Sequence, residues 1–254
     1  MCPRSLPTSP ATPATPGTAP LPAEALRLSI IIPTYNEATT IVSLLAYLRQ
    51  PTAGELAPEI IVADGGSTDA TRQLARQAGA TVLHCPRRGR AAQMNHGARH
   101  AQGTLLYFLH ADSIPPSGFQ HDLQRAMVQG YGSGSFRLAF DSTHWLLIFS
   151  AWCTRLPFTA LRFGDQSLFV RRKLFEHIGG FREELLVMED QEIIHRLQAQ
   201  APFCLVPRAV LTSARKYRTN GVIRLQGIFT GIALLYWVGV PQRYLVRIYQ
   251  RFIR

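Results

Sequence analysis

The chain has 254 residues, of which 46% are hydrophobic and 17% are charged, so it can bury one large core and is not a collagen, a coiled coil or a wholly disordered chain. The net charge of +11 comes from the C-terminal end, because residues 193–254 contain 10 basic groups and no acidic one. A basic end of this kind favours phosphate groups or an anionic membrane as partners.

Residues 1–25 are predicted to form a disordered tail, because they contain seven prolines and no aromatic residue. This stretch has no apolar run behind a basic start, so we expect no secretory signal and a cytoplasmic protein, with peripheral contact to the inner face of the membrane left open. The four cysteines lie far apart without a CxxC pair, which argues against a disulfide framework or a zinc site and favours a reducing compartment.

Strands and helices alternate over the next part of the chain. Short apolar runs predict strands at 28–32, 59–63, 80–84 and 104–109. Periodic segments between them predict helices at 37–50, 68–78 and 90–101. This alternation indicates an α/β fold with a mostly parallel central sheet and helices on both faces. Ligands of such sheets bind at the carboxyl ends of the strands, and here each of those ends carries polar residues.

After Pro115 the alternation is less regular. Further strands are predicted at 132–140, 167–171, 203–206 and 210–213. Further helices are predicted at 144–156, 173–178 and 189–200. We expect one globular domain over residues 26–215, followed by a basic amphipathic helical segment over 216–254.

Two arrangements of the segment 216–254 stay open. Residues 225–242 lack any charge, but their glycines and proline argue against a membrane span. The segment is therefore either a helix pair packed on the core or a helix in a membrane interface, with its arginines at the lipid headgroups.

Two carboxylates directly follow predicted strands. Asp64 precedes two glycines, and we expect its carboxylate to be free for a base or ribose, whereas Asp69 stabilises the start of the next helix. Asp112, in His110-Ala111-Asp112, stands where a lone carboxylate commonly anchors a divalent ion on a nucleoside diphosphate. His110 is a softer ligand than a carboxylate, so its direct contact with a metal is not expected.

A third acidic motif and two basic ones complete the candidate site. Glu189 and Asp190 begin a predicted helix, where acids are either partners of the helix dipole or, in the functional reading, a general base. Arg90, near a helix start, is suited to phosphate, and Arg215 lies in a basic segment suited to a leaving diphosphate. Solvated basic loops are the alternative for both arginines.

Taken together, these motifs resemble the family 2 glycosyltransferases with the GT-A fold. The resemblance is carried by SIIIPTYNE at 29–37, DGGSTD at 64–69, His110-Ala111-Asp112 at the place of the DXD motif, and Met188-Glu189-Asp190 at the place of the ED motif. Their order and spacing match over residues 26–211, and a joint match of this kind is far more specific than any one motif.

The resemblance implies a role for each site residue. Donor-nucleotide binding is implied for Pro33, Tyr35, Glu37, Asp64, Arg90, Ala111 and Arg215. It further implies that Asp112 holds Mg²⁺ or Mn²⁺ on the diphosphate and that Asp190, beside Glu189, activates an acceptor hydroxyl near Asp165. The implied reaction inverts the anomeric carbon in a single displacement. The QxxRW motif of processive synthases is absent, which favours a single transfer.

A narrower resemblance is carried by the strings GRAAQMNHGA, FLHAD, FGDQ, GGF, MEDQE and SARKY. They are similar to a bacterial subfamily named for arsenosugar biosynthesis, also called radical-SAM/selenodomain-associated glycosyltransferases. This resemblance implies an acceptor related to arsenosugars or glycolipids.

Other classes of protein fit less well. A sugar nucleotidyltransferase would carry a glycine-rich basic loop after its first strand, and a Rossmann dehydrogenase would carry GxGxxG there. Nucleic-acid binding is not expected, because the charge is not arranged with an aromatic platform or a reading helix. One alternative stays open: a non-catalytic sugar-nucleotide-binding or membrane-docking protein with a degenerate site, which His110 and the basic end motivate.

Overall fold

The structure is a computed structural model, and it describes residues 26–50, 57–156, 158–162 and 164–253. The tail predicted at 1–25 lies outside the described residues.

The first half of the fold alternates strands and helices as predicted. Its elements are β1 (Leu28–Thr34), α1 (Ile41–Leu48), β2 (Glu59–Asp64), α2 (Thr71–Gln77), β3 (Thr81–His84), α3 (Arg90–His100) and β4 (Leu105–Phe108). Helices α1 and α2 begin three or four residues later than predicted. The residues before them form turns, in which the Glu37 amide donates to Thr71 Oγ1 and the Ala38 amide donates to Asp69 Oδ2.

The second half contains two elements that the sequence patterns did not predict, β5 and α4. Its elements are β5 (Ser113–Ile114), α4 (Phe119–Val128), β6 (Ser133–Phe140), α5 (Trp145–Cys153), short 3₁₀ turns at Thr159–Leu161 and Gly164–Gln166, β7 (Leu168–Arg171), α6 (Arg172–His177), α7 (Glu189–Gln200), β8 (Phe203–Thr212), α8 (Arg215–Asn220), α9 (Val222–Trp237) and α10 (Gln242–Phe252).

The prediction of two separate strands near the end of the domain is wrong, because β8 is one continuous strand. Val206 pairs with Phe136 and Ala209 with Arg137, so two residues of β8, Pro207 and Arg208, bulge out of the ladder. A proline cannot donate to a ladder hydrogen bond, and the bulge lets the strand continue past it.

Within the described residues, eight strands form one mixed sheet in the order β3-β2-β1-β4-β7-β6-β8-β5. The pairs β1–β2, β1–β4, β2–β3 and β6–β8 are parallel, whereas β7 runs antiparallel to both of its neighbours and β5 antiparallel to β8. The predicted mostly parallel α/β sheet is confirmed. Because β7 is reversed, its N-terminal end lies at the same edge as the carboxyl ends of β1, β2, β4 and β8.

Helices cover both faces of this sheet, also as predicted. In β1, Ile30 and Ile32 belong to a buried cluster that includes residues of α1 and α4, whereas Ile31 belongs to a second cluster that includes residues of α3 and α7. All three isoleucines are fully buried, which explains why the strand reads as a continuous apolar run.

The last two helices pack on the loop that precedes α7. Ile232 of α9 and Leu245 of α10 share a buried cluster with Val187. The Trp237 indole donates to Gln191 Oε1 at 3.1 Å, and Gln242 Nε2 donates to the Val187 carbonyl at 3.0 Å. The end of the chain therefore supports the start of α7, where two of the predicted catalytic acids lie.

In the part of the chain that the structure describes, no helix is both long and apolar enough to cross a bilayer.

Candidate active site

The polar ends of several elements meet at one edge of the sheet. The Gly65 amide donates to the Thr34 carbonyl at 3.0 Å, which joins the ends of β1 and β2. The Ser213 amide donates to the Asp112 carbonyl at 3.0 Å, which joins the segments after β4 and β8. Thr212 Oγ1 also donates to the carbonyl of Asp165, just before β7, at 3.2 Å. Most of the predicted site residues lie on these segments.

Three residues with left-handed backbone conformation lie close in sequence to the predicted site residues of this edge. Among the described residues, Asn36, Ser167 and Met188 are the non-glycine residues with positive φ, at 55°, 57° and 65°. Such conformations cost of order 1–3 kcal/mol each and are concentrated at functional sites. Here each one lies next to a predicted site residue: Asn36 after Tyr35, Ser167 close to Asp165, and Met188 directly before Glu189.

Asp64 organises the loop after β2. Its side chain is fully buried, and its carboxylate accepts from the amides of Gly66 and Ser67 and from the hydroxyls of Thr34 and Ser67. Arg72 Nε lies 3.6 Å from Oδ1. The expectation that this carboxylate is free is therefore wrong, because its acceptor sites are occupied from within the chain. A contact between Asp64 and a donor stays a prediction.

Two residues that were not predicted as site residues hold β1 and β2 in register at this edge. Gln93 of α3 donates through Nε2 to the carbonyls of Thr34 at 2.7 Å and Ala63 at 2.8 Å. Asn36 accepts from the Thr68 amide through Oδ1 at 2.9 Å. A signal for Asn36 exists in the sequence, since asparagine tolerates positive φ and follows a strand here.

Glu37 and Arg215, both predicted to bind the donor, form an ion pair. Arg215 Nη2 lies 3.0 Å from Glu37 Oε1 and 2.9 Å from Oε2. The hydrogen bond to Glu37, together with the charges of Glu37 and Asp112, raises the pKa of Arg215 against the effect of burial. The pair joins the segment after β1 to the segment after β8, with Asp112 close to the arginine.

The remaining donor-binding predictions fall on two kinds of position. Tyr35 is 46% exposed, and the Arg88 guanidinium carbon lies 5.1 Å from the centre of its ring. Pro33, near the end of β1, and Ala111, between β4 and β5, are both buried. An exposed aromatic ring with a cation above it is a surface on which a planar base can stack.

Arg90 contacts the predicted catalytic acids. Its Nε lies 2.8 Å from Glu189 Oε1, and the Glu189 side chain is only 1% exposed. Neither Glu189 oxygen forms a hydrogen bond of good geometry with a described residue. The charge of Glu189 raises the pKa of Arg90, with smaller contributions from Asp190 and Asp165. The structure therefore places Arg90 on the acids of α7, and its contact with a donor stays a prediction.

Asp190 differs from Asp69 and Asp141 in that its pKa is raised and not lowered. Burial and the neighbouring Glu189 charge raise its pKa to about 6, although Arg90 and His110 act in the opposite direction. Asp190, His110 and Gly164 line one small cavity. A Cβ on Gly164 would overlap the Asp190 carboxylate, so the glycine allows the turn before β7 to approach this acid.

The described residues of the edge do not form a metal site made of protein ligands alone. Among the described residues, no group of three or more His, Cys, Asp or Glu side chains is arranged to hold a metal. The Asp112 carboxylate forms no hydrogen bond or ion pair within the described part of the chain, although Arg215 is near enough to feel its charge. A hard ion that shares its oxygen ligands with a diphosphate fits this donor set, whereas an all-protein metal cage does not.

A mixed sheet with these loops at one edge is the architecture of the GT-A glycosyltransferases. The mannosyltransferase PcManGT of Pyrobaculum calidifontis, solved with GDP-Man and Mn²⁺, superposes with a TM-score of 0.67 at 20% identity, over 91% of this chain and 71% of that one. Glucosyl-3-phosphoglycerate synthase of Mycobacterium tuberculosis, solved with Mn²⁺, UDP and phosphoglyceric acid, gives a TM-score of 0.59 at 20% identity, over 86% of this chain and 81% of that one. These likenesses confirm the predicted fold.

The chain belongs to glycosyl transferase family 2, because the model of that family matches residues 29–178, more than half of its length. Glycosyltransferase AglE of Haloferax volcanii is 32% identical over 113 residues, which are 42% of this chain and 36% of AglE. A PGL/p-HBAD biosynthesis glycosyltransferase of Mycobacterium tuberculosis is 30% identical over 176 residues, which are 64% of this chain and 66% of that protein. The chain thus spans about a third of the first relative and just under two thirds of the second.

Proposed function

We propose that this protein transfers a sugar from a nucleoside-diphosphate donor to an acceptor hydroxyl, with inversion at the anomeric carbon. The observation that carries the proposal is the Asp190 carboxylate, which lies at the sheet edge with its pKa raised to about 6. A base with that pKa is ionised at neutral pH and is still basic enough to accept a proton in a transition state.

The proposed step is a single displacement. The acceptor oxygen forms a bond to the anomeric carbon while the bond from that carbon to the diphosphate oxygen breaks. The acceptor proton goes to Asp190, and the nucleoside diphosphate leaves with the electron pair. Asp165, on the turn before β7, is proposed to lie beside the acceptor, because the charge of Asp165 is felt by Asp190.

Asp112 is the residue proposed to hold Mg²⁺ or Mn²⁺. When bound, such an ion would neutralise charge on the leaving diphosphate. Two relatives of this fold were solved with Mn²⁺. In this chain Arg215 approaches the same place from the segment after β8, so a protein cation also faces the proposed diphosphate position.

The donor nucleotide is proposed to lie along the ends of β1 and β2. Tyr35 and Arg88 offer an exposed stacking surface, and Glu37, two residues after Tyr35, is ion-paired with Arg215. Solved relatives of this fold hold GDP-Man, UDP or UDP-GlcNAc, so the donor is sought among UDP and GDP sugars.

The acceptor is proposed from the narrower resemblance. The strings FLHAD, MEDQE and SARKY place Asp112, Asp190 and Arg215 in motifs similar to the arsenosugar-biosynthesis subfamily. We therefore propose a small arsenosugar-related or glycolipid hydroxyl as acceptor, glycosylated once and not processively.

The test begins with calorimetric titration of the full chain with UDP, GDP and their sugar conjugates, first with Mn²⁺ and then with EDTA. We expect one nucleotide to bind in a metal-dependent way, and its sugar conjugate to release free nucleotide slowly, with water as acceptor. Metal-dependent binding without any release, even after acceptors are added, would favour the non-catalytic alternative. The absence of binding in folded protein would contradict the donor site itself.

A further inference from the structure

Helix α5 presents an apolar stripe to solvent. Trp145, Ile148, Phe149 and Trp152 are 68%, 56%, 56% and 50% exposed. Positions three, four and seven residues apart lie on one side of a helix, so the four side chains form a single stripe. The rings of Phe149 and Trp152 stack at 6.4 Å between centroids, which makes that surface continuous. An apolar stripe on a helix normally faces the protein core. In α5 the side opposite the stripe faces the core instead, because Leu147 on that side is fully buried.

The tryptophans of the chain share this exposure. The sequence contains three, and Trp237 is also 49% exposed, so none of them contributes to the buried cores of the sheet. Tryptophan has an apolar ring system and a polar N–H group, and it is enriched where membrane meets water. Two tryptophans at the two ends of one exposed stripe therefore favour an interface between lipid and water.

Helices that carry basic side chains pack beside α5. Leu147 of α5 packs in one small cluster with Tyr217 of α8 and Leu225 of α9, and Ile253, just after α10, packs against that cluster. Three basic residues are exposed on these helices: Lys216 on α8, Arg224 on α9 and Arg251 on α10. Arg224 Nη2 donates to the Phe252 carbonyl at 3.2 Å, which brings the start of α9 to the end of α10.

Helix α10 does not offer its apolar side to a membrane. Leu245 is fully buried, and Val246, Ile248 and Tyr249 pack against its cluster. Its exposed positions carry arginines, among them Arg243 and Arg247, whose guanidinium carbons lie 4.9 Å and 5.8 Å from the Tyr244 ring centre. The C-terminal helices therefore supply the positive charge, and although α9 also exposes Ile223 and Leu234, the stripe of four exposed apolar side chains lies on α5.

We propose that the α5 stripe inserts into the headgroup region of an anionic lipid bilayer, while the basic side chains of α8, α9 and α10 contact lipid phosphates. Apolar burial and attraction to anionic lipid act together in this mode of binding. A second copy of the chain is disfavoured as occupant, because each copy would bring the same excess of positive charge to the contact. The proposal does not depend on glycosyl transfer.

The experiment measures binding of the full chain, without donor, to vesicles of phosphatidylcholine mixed with phosphatidylglycerol and to vesicles of pure phosphatidylcholine. We expect sedimentation with the anionic vesicles, weakening as salt is added, and quenching of tryptophan fluorescence by brominated acyl chains. The double variant Ile148→Ser/Phe149→Ser should lose affinity by roughly a hundredfold, because each of the two buried side chains is worth about one order of magnitude. The matched control is Val128→Ser on α4, which removes a side chain that is 87% exposed but lies outside the stripe.

Three results would overturn the proposal. The first is unchanged vesicle binding by the double variant, provided that its melting temperature equals that of the parent. The second is equal binding to anionic and to neutral vesicles, because the basic side chains would then contribute nothing. The third is a dimer in sedimentation equilibrium that the double variant dissociates, since the stripe would then bind a second copy. Nucleotide titration of the same samples reports separately on the donor site.

Discussion

Asp64 and Asp190 are both placed at the same edge of the sheet, yet their surroundings differ. Asp64 is fully buried and accepts four hydrogen bonds from the turn that it shapes. Asp190 has its pKa raised to about 6 by burial and by a second acid, Glu189. The first carboxylate is hydrogen-bonded by its own chain, whereas burial and the Glu189 charge destabilise the charged form of the second.

The same contrast separates the two halves of the site. Beside β1, Glu37 is paired with Arg215 in a hydrogen-bonded ion pair. At the start of α7, Glu189 is buried beside Arg90 without a hydrogen bond of good geometry to a described residue. The hydrogen-bonded acids Asp64 and Glu37 shape the proposed nucleotide half, whereas Asp190, with its raised pKa, is the acid proposed to accept the proton in the other half.

The sharpest test of the contrast removes the charge of Asp190. We expect Asp190→Asn to lower kcat by roughly 10²–10⁴-fold, the usual contribution of a general base. Calorimetry should show unchanged donor affinity, because the residue acts on the acceptor. A variant that transfers at the parental rate would assign the base to another residue, and one that also loses donor binding would show a wider defect than the proposal allows.

The opposite behaviour is expected of Asp64. Asp64→Ala leaves buried donors of Thr34 and Ser67 unsatisfied, which should destabilise the fold by roughly 3 kcal/mol. For a domain of this size that lowers the melting temperature by about 6–12 °C. Asp190→Asn serves as control, because a carboxylate whose pKa is raised by folding costs stability when it is charged, so its neutral replacement should leave the melting temperature at neutral pH unchanged or higher. Equal melting temperatures for the parent and Asp64→Ala would show that the hydrogen bonds of Asp64 do not hold the turn.

Features set by local sequence patterns were predictable from the sequence, whereas contacts between distant positions of the chain were not. Strands β1, β2 and β4 were predicted because a strand covered on both faces is a continuous apolar run. Strand β5 has two residues, too few to show a period, and Pro207 divided the pattern of β8. The order of the motifs predicted which carboxylates lie at the edge, since parallel strands end on one side.

The partners of those carboxylates were not predictable. Glu37 and Arg215 are separated by 178 positions, and their pairing depends on β8 running parallel to β6 beside the reversed β7. Arg90 looked suited to phosphate from its place at a helix start, but its actual neighbour, Glu189, begins a helix on another part of the chain. Pairing between side chains is decided by the assembled sheet and leaves no mark in local spacing.

A smaller effect is expected at Asp112. Asp112→Ala should weaken donor binding in the presence of Mn²⁺ by about 10–100-fold, the value of one charged contact, and should leave the weak binding in EDTA unchanged. The measurement is calorimetric titration with and without the metal. Equal affinities of parent and variant with Mn²⁺ present would contradict the metal role.

The smallest expected effect is a shift in the pH dependence of kcat. It distinguishes whether Arg90 acts on the acids of α7 or contacts the donor. Asp190 must be ionised to act as base, so kcat should fall about tenfold per pH unit below a midpoint near 6. Arg90 lowers the pKa of Asp190 and Glu189 raises it, while His110 and Asp165 also face this acid. Arg90→Gln should therefore move the midpoint upward by on the order of one unit, and Glu189→Gln should move it downward. If Arg90 instead contacts the donor phosphates, Arg90→Gln will raise the donor KM and leave the midpoint in place.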